Sequence, residues 1–160
     1  RYDIGYVGSK WGNYSRGNIW EWENYLKPLS DKSNSSFIAG PGTPKGVVSV
    51  DQHINALKLS ALCPSIHATG WKAERGIMDR FWTVHSLGRF GVVDNLGVYD
   101  FFNQDEVEVE TDPEAYIEKS MYYIKNPEMQ KPFIQKVLKR IQNEYNQQFV
   151  WKNILSKILK

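Results

Sequence analysis

The chain has 160 residues, 41% hydrophobic and 24% charged, an ordinary globular composition long enough for one domain that buries roughly 70% of its unfolded surface. A net charge of +2 excludes a nucleic-acid coat or a polybasic membrane anchor, which both need a broad basic excess. The single cysteine, Cys63, excludes an internal disulfide and a cysteine-built metal cluster. Its apolar surroundings predict a buried small hydrophobe in a reducing, cytoplasmic compartment.

In chain order, YDIGYVGSK alternates as a strand and ends in a glycine-bearing loop. Ile19, Trp22, Leu26 and Leu29 form the stripe of an amphipathic helix. SSFIAGPG reads as a short strand closed by Gly40-Pro41-Gly42. Ser49 and Gln52 form a capping-box pattern ahead of a helix with Val50, Ile54, Leu57 and Ala61 on one face. LCPSIHAT is a strand candidate in which Pro64 suits a sheet edge or a bulge. A helix starting near Gly76 carries Ile77, Phe81, Val84 and Gly88 on one face. FGVVDN reads as a buried strand, and EVEVE as an edge strand with Glu106, Glu108 and Glu110 on its wet face. Asp112-Pro113 opens a helix with Ile117, Met121 and Ile124 inward, and Asn126-Pro127 ends it. Helices about Pro132 to Tyr145 and Val150 to Lys160 complete the chain.

This order predicts one α/β domain over residues 1–160, a doubly wound, mostly parallel sheet of about five strands with helices on both faces and further helices at the carboxyl end. No apolar run is long enough to cross a bilayer, and no charged-then-apolar leader begins the chain. The chain starts at Arg1 with residue 2 already in a strand pattern, so a piece of a longer protein is expected.

In open α/β sheets, ligands sit outside the carboxyl ends of the strands. Gly8-Ser9-Lys10, Gly40-Pro41-Gly42, residues 69–76 and Asp94-Asn95 all fall on that edge. With a helix starting near Gly76, the N–H groups of Gly76, Ile77 and Met78 would point outward, and Gly76 would let an oxyanion approach them. Lys72, Arg75 and Arg80 surround that point, and Gly76, Arg80 and Thr83 share one stripe, a geometry suited to a diphosphate. The competing reading of Arg80 is a surface pair with a carboxylate such as Glu74. Trp11 and Trp71 lie in the same edge loops, where they either pack in the core or stack on a base or sugar. His53, His67 and His85 read as structural, and no metal-ligand spacing is present.

The stretch GIMDRFWTVHSLGRFGVVDN, then LGVYDFF, then DEVEVETDPEAYIEKSMYYIKNPE resembles the carboxyl-terminal domain of GT-B glycosyltransferases of the group-1 type. The order and spacing match over residues 60–139, and YDIGYVGS resembles that domain's first strand and loop. The resemblance implies a Rossmann-like domain that binds a nucleotide-diphosphate sugar as substrate, with no metal, while a separate amino-terminal domain holds a glycan or other acceptor. It places Gly8, Ser9 and Lys10 near the donor phosphates, and Gly76 and Ile77 as amide donors to diphosphate and sugar. It matches Arg80 to the arginine often found in that helix, and Lys72, from the cation cluster, is expected to add charge to the same diphosphate seat. Glu74 or Arg75 stands where the family has its first, catalytic glutamate. Thr83 stands where the family commonly has a second glutamate, for the ribose hydroxyls. This departure leaves a rival open, a catalytically degenerate module that holds a nucleotide or anion without turnover. An unrelated doubly wound signalling or scaffold domain is the third reading, and it lacks the acidic cluster of a phospho-receiver.

Overall fold

The computed structural model describes residues 1–13 and 17–158; residues 14–16 of the first loop and the predicted helix end at residues 159–160 lie outside them. Strands β1 (Tyr2–Val7), β2 (Ser36–Ala39) and β3 (Ser60–Leu62) form an open parallel sheet in the order β2-β1-β3. The helices are α1 (Ile19–Glu21), α2 (Lys27–Lys32), α3 (Val50–Leu59), α4 (Thr69–Ala73), α5 (Asp79–Ser86), α6 (Pro113–Lys125), α7 (Lys131–Glu144) and α8 (Gln147–Ile158).

The chain is therefore α/β, with three strands where the sequence predicts about five. Residues 90–94 do run beside the continuation of β3 and residues 107–110 beside residues 90–94, joined by the isolated parallel bridges Ser65↔Val93 and Val93↔Val109, without forming continuous strands. Pro64 supplies part of the reason. The N–H groups of Cys63 and Ser65 donate to the carbonyls of Phe90 and Val92, at 2.8 and 3.0 Å. Alternation turns the nitrogen of Pro64 the other way, towards β1, where it has no hydrogen to donate. The β1–β3 pairing accordingly stops at Ile4↔Leu62. Pro64 thus follows the end of β3, the edge strand of the three-stranded sheet, in keeping with the edge position its sequence suggested.

Both faces of the sheet are covered. Ile4 and Tyr6 of β1, with Leu62 and Val92, pack against Trp22, Leu26 and Leu29 and against Tyr116 and Ile117 of α6. The neighbours Cys63 and Val93 go to other clusters, Cys63 with Leu57 of α3 and Val84 of α5, and Val93 with Phe81 of α5 and Val137 of α7. Adjacent residues pointing to opposite cores is what strand alternation produces when helices lie on both sides.

The first helical stripe forms as predicted, but a π-helical stretch (Trp22–Leu26) joins α1 to α2. Pro28, next in the chain after Lys27, lacks an N–H, and its ring crowds the carbonyl one turn back. The turn before it widens, and Lys27 N–H bonds the Trp22 carbonyl five residues away. The capping box of α3 is present, with Gln52 N–H to Ser49 Oγ at 3.2 Å and Ser49 N–H to Gln52 Oε1 at 3.0 Å. Its predicted apolar face is only partly buried. Leu57 is buried, whereas Val50 is 72% exposed.

Glu106, Glu108 and Glu110 are not a wet face. Lys119 of α6 pairs with Glu108 and Glu110 at 2.8 and 3.3 Å, Tyr123 Oη donates to Glu108 at 2.6 Å, and Arg140 of α7 lies 3.7 Å from Glu106. Asp112 caps α6 through a bond from the Ala115 N–H at 2.9 Å. Among the described residues, no helix is long and apolar enough to cross a membrane.

Candidate functional site

The carboxyl edge of the sheet is assembled by its loops. Gly8 N–H donates to the Ala39 carbonyl at 2.9 Å and Lys10 N–H to the Pro41 carbonyl at 2.8 Å, so the loops after β1 and β2 lie side by side. Asn18 is buried just before α1 and fixes the first loop. Its Oδ1 accepts from the Trp11 N–H at 3.0 Å, and its Nδ2 donates to the Ser9 carbonyl at 2.7 Å.

Arg80, in the first turn of α5, reaches across this edge. Its Nε donates to the Val7 carbonyl at 3.2 Å and its Nη1 to the Ile66 carbonyl at 2.6 Å, while the guanidinium carbon lies 4.0 Å from the centre of the Tyr6 ring. The side chain is thereby held between the ends of β1 and β3. It lines a cleft of about 340 Å³ together with Ser9, Thr83, Trp11, Trp71 and Val7, and with Asn18, His53, Met78 and Asp79. Of the predicted residues, Ser9, Arg80 and Thr83 thus meet in one cavity, and Gly8 lies directly behind the Arg80 guanidinium.

The predicted helix start near Gly76 is corrected. Residues 69–73 form the separate short helix α4, Arg75 turns the chain in the left-handed conformation at φ 55°, and α5 begins only at Asp79. Gly76 N–H bonds back to the Trp71 carbonyl at 2.8 Å and is not offered to a ligand. A side chain at Gly76 would stand 2.5 Å from the Trp71 indole, so the residue is small because a ring packs on it. Ile77 packs with Phe81 and Val93 in the core on that side of the sheet.

The remaining cations are occupied elsewhere. Lys72 Nζ bridges two buried carboxylates, 2.9 Å from Glu21 and 3.1 Å from Asp94, with the rings of Trp20 and Tyr25 each 5.3 Å away. Glu21 also accepts from Thr69 Oγ1 at 2.7 Å, and Asp94 from the N–H and Nδ1 of His67 at 2.8 and 2.9 Å. Arg75 clasps Asp100 with two bonds of 2.7 Å at the surface. That pairing holds the Asp100 carboxyl below its ordinary range. Lys10 Nζ rests 5.1 Å from the Trp22 ring. Glu74 is exposed at the end of α4. None of Lys10, Lys72, Glu74 and Arg75 lines the Arg80 cleft.

Asn18 and Asp79 carry no signal in the sequence, Met78 is expected only through its backbone N–H, and His53 is expected to be structural. For His53 a signal existed, since the capping box starts α3 at Val50 and places His53 in the first turn. Burial lowers the His53 pKa, and the nearby Arg80 charge lowers it further. The imidazole is therefore neutral at pH 7 and offers one donor and one acceptor to the cavity. Cys63 is buried, and burial pushes its thiol up to about 12, which removes it from any nucleophilic role.

A larger groove of about 400 Å³ opens beside β2 and α3, from Tyr2 to Leu59. It lies towards the amino end of β1, away from the carboxyl edge where open α/β sheets hold ligands, and its polar lining is Lys45, Gln52 and Asn55. Among the described residues, no group of three or more histidine, cysteine, aspartate or glutamate side chains is arranged to hold a metal ion.

The cleft can accept an anionic or hydroxyl-rich ligand. It offers a fixed guanidinium, a carboxylate, an amide, hydroxyls from Ser9 and Thr83, and two indole rings. No protein-family model matches the chain, and no curated protein is significantly similar to it in sequence.

Proposed function

We propose that the chain is the donor-binding, Rossmann-like half of a GT-B-type glycosyltransferase, whose cleft takes the diphosphate and sugar of a nucleotide-sugar donor. A separate amino-terminal domain holds the acceptor. The observation that carries this reading is Arg80, anchored by the Val7 and Ile66 carbonyls and backed by Tyr6 at the mouth of a cavity on the carboxyl edge. A guanidinium fixed before the ligand arrives loses little freedom on binding and presents paired donors to phosphate oxygens. In transfer, Arg80 and Ser9 stabilise the charge that grows on the departing diphosphate. No metal is required for this, and the buried Cys63 fits a reducing, cytoplasmic setting.

A second reading, binding without turnover, is favoured by a specific observation. Glu74 and Arg75, matched to the family's catalytic position, stand outside the cleft, and Thr83 replaces the family's second glutamate inside it. Thermal melting with a panel of nucleoside diphosphates and nucleotide sugars tests the shared core of both readings. A ligand at about 100 times its dissociation constant adds roughly 2.7 kcal/mol, and Arg80→Gln removes most of that shift. If no member of the panel raises the melting temperature, both readings fail. Release of nucleoside diphosphate from the donor then separates enzyme from binding module.

A further inference from the structure

We infer that Trp11 and Trp71 form the sugar subsite of this cleft, stacking on a hexose ring of the donor. The inference rests on the nucleotide-sugar reading above and goes beyond it by assigning the tryptophan-lined part of the cleft to the transferred sugar.

Indole rings normally contribute their area to a core or interface. Trp20 packs on Tyr25, Trp22 on Tyr6, and Trp82 on Phe81, Phe102 and Tyr145. Trp11 and Trp71 are 51% and 47% exposed, and among the described residues neither ring stacks on another aromatic side chain. Both line the cleft that Arg80 lines, so two half-exposed indole rings converge on one place.

They are also held there. Trp11 is tied through its backbone to Asn18, with its N–H on Oδ1 at 3.0 Å and its carbonyl accepting from the Asn18 N–H at 3.1 Å. Trp71 is fixed by the Gly76 N–H on its carbonyl and by the missing side chain at Gly76, which leaves room for one part of the ring. Both residues are held at the backbone while about half of each ring stays exposed, and a binding platform accounts for both features.

The chemistry around them selects the ligand class. Asp79 and Asn18 share the cleft. A carboxylate repels phosphate, but together with an amide it provides the acceptors and donors that sugar hydroxyls need. The apolar C–H face of a pyranose covers an indole, while its hydroxyls reach sideways to such groups. Thr83 lies one turn further along α5 than Arg80, so a diphosphate at Arg80 with the nucleoside towards Thr83 leaves the loop side, with the two tryptophans, for the sugar.

Calorimetry with the folded chain tests this, using UDP, GDP and ADP beside UDP-glucose, GDP-mannose and ADP-glucose, for wild type, Trp11→Ala and Trp71→Leu. For the nucleotide that binds, each variant should lose about tenfold in affinity for the nucleotide sugar, as expected for uncovering an apolar face of roughly 50 Å². Affinity for the free diphosphate should stay within about twofold of wild type. Equal loss for diphosphate and nucleotide sugar places the rings on the base and overturns the sugar assignment. Unchanged affinity for both removes the tryptophans from the site. Wild type that binds no member of either series overturns the nucleotide-sugar reading itself, and this inference with it.

Discussion

A methyl group added at Gly8 would lie 1.8 Å from Nη2 of Arg80, so this glycine is required by the guanidinium in front of it. Gly8→Ala displaces the end of the Arg80 side chain and weakens its hold on the Val7 and Ile66 carbonyls, where one charged hydrogen bond is worth about 1.5–3 kcal/mol. We expect Gly8→Ala to lower stability by a few kcal/mol (~2–3) in urea titration and to weaken nucleoside-diphosphate binding alongside. Gly70→Ala meets nothing within 4 Å and should leave binding as in wild type. If Gly8→Ala binds as wild type does, Arg80 is not the phosphate ligand. Glycine at the first loop was legible from the strand-then-glycine pattern, but its cause was not. The atom it makes room for comes from Arg80, which no local pattern connects to position 8.

Lys72 shows the same limit one level up, where elements meet. The run from Lys72 to Arg80 reads as cations gathered about an anion seat, yet Lys72 ties α4 to α1 through Glu21 and to residues 90–94 through Asp94, whose side chains are 1% and 0% exposed. Removing the ammonium leaves two buried carboxylates facing each other, which typically costs about 3–5 kcal/mol. Lys72→Met should therefore lower the urea midpoint markedly. The folded fraction, isolated by size exclusion, should bind a nucleoside diphosphate with wild-type affinity. A loss of binding at unchanged stability would return Lys72 to the anion site. The element boundaries themselves were more legible. The Ser49–Gln52 capping box and the Asp112 cap both form, because each depends on residues within three positions. The helix start misplaced at Gly76 depends instead on the Trp71 ring and on the left-handed turn at Arg75, which the spacing does not encode.

For the molecule as a whole, acid stability depends on a residue far from solvent. His85 is buried against Phe81, with Nδ1 2.7 Å from the Phe81 carbonyl, and burial lowers its pKa from the ordinary 6.5 to about 4. Between those values the unfolded chain binds a proton that the folded chain does not. The stability from neutral His85 is thus complete above about pH 6.5 and is lost as pH falls towards 4. From pH 7.5 to 4.5 we expect this one group to remove about 2–3 kcal/mol. The comparison is wild type against His85→Gln in urea at both pH values; parallel losses in the two proteins would show that His85 is not the group responsible.

Composition, periodicity and caps suffice for the α/β class, for helices on both faces and for the gathering of the loops at the strands' carboxyl ends, because these follow from local alternation, helical stripes and chain order. They also bring Ser9, Arg80 and Thr83 to those ends. Three decisions belong to the tertiary structure alone. Pro64 cuts β1–β3 pairing at Leu62, since the cost of a missing donor depends on which neighbour it faces. Lys72 and Arg75 are taken by Asp94 and Asp100, carboxylates about two dozen positions along the chain. Trp11 and Trp71 stay out of the core and join the cleft. A side chain's partner is set by proximity in space, and sequence spacing gives that only within a turn or a strand.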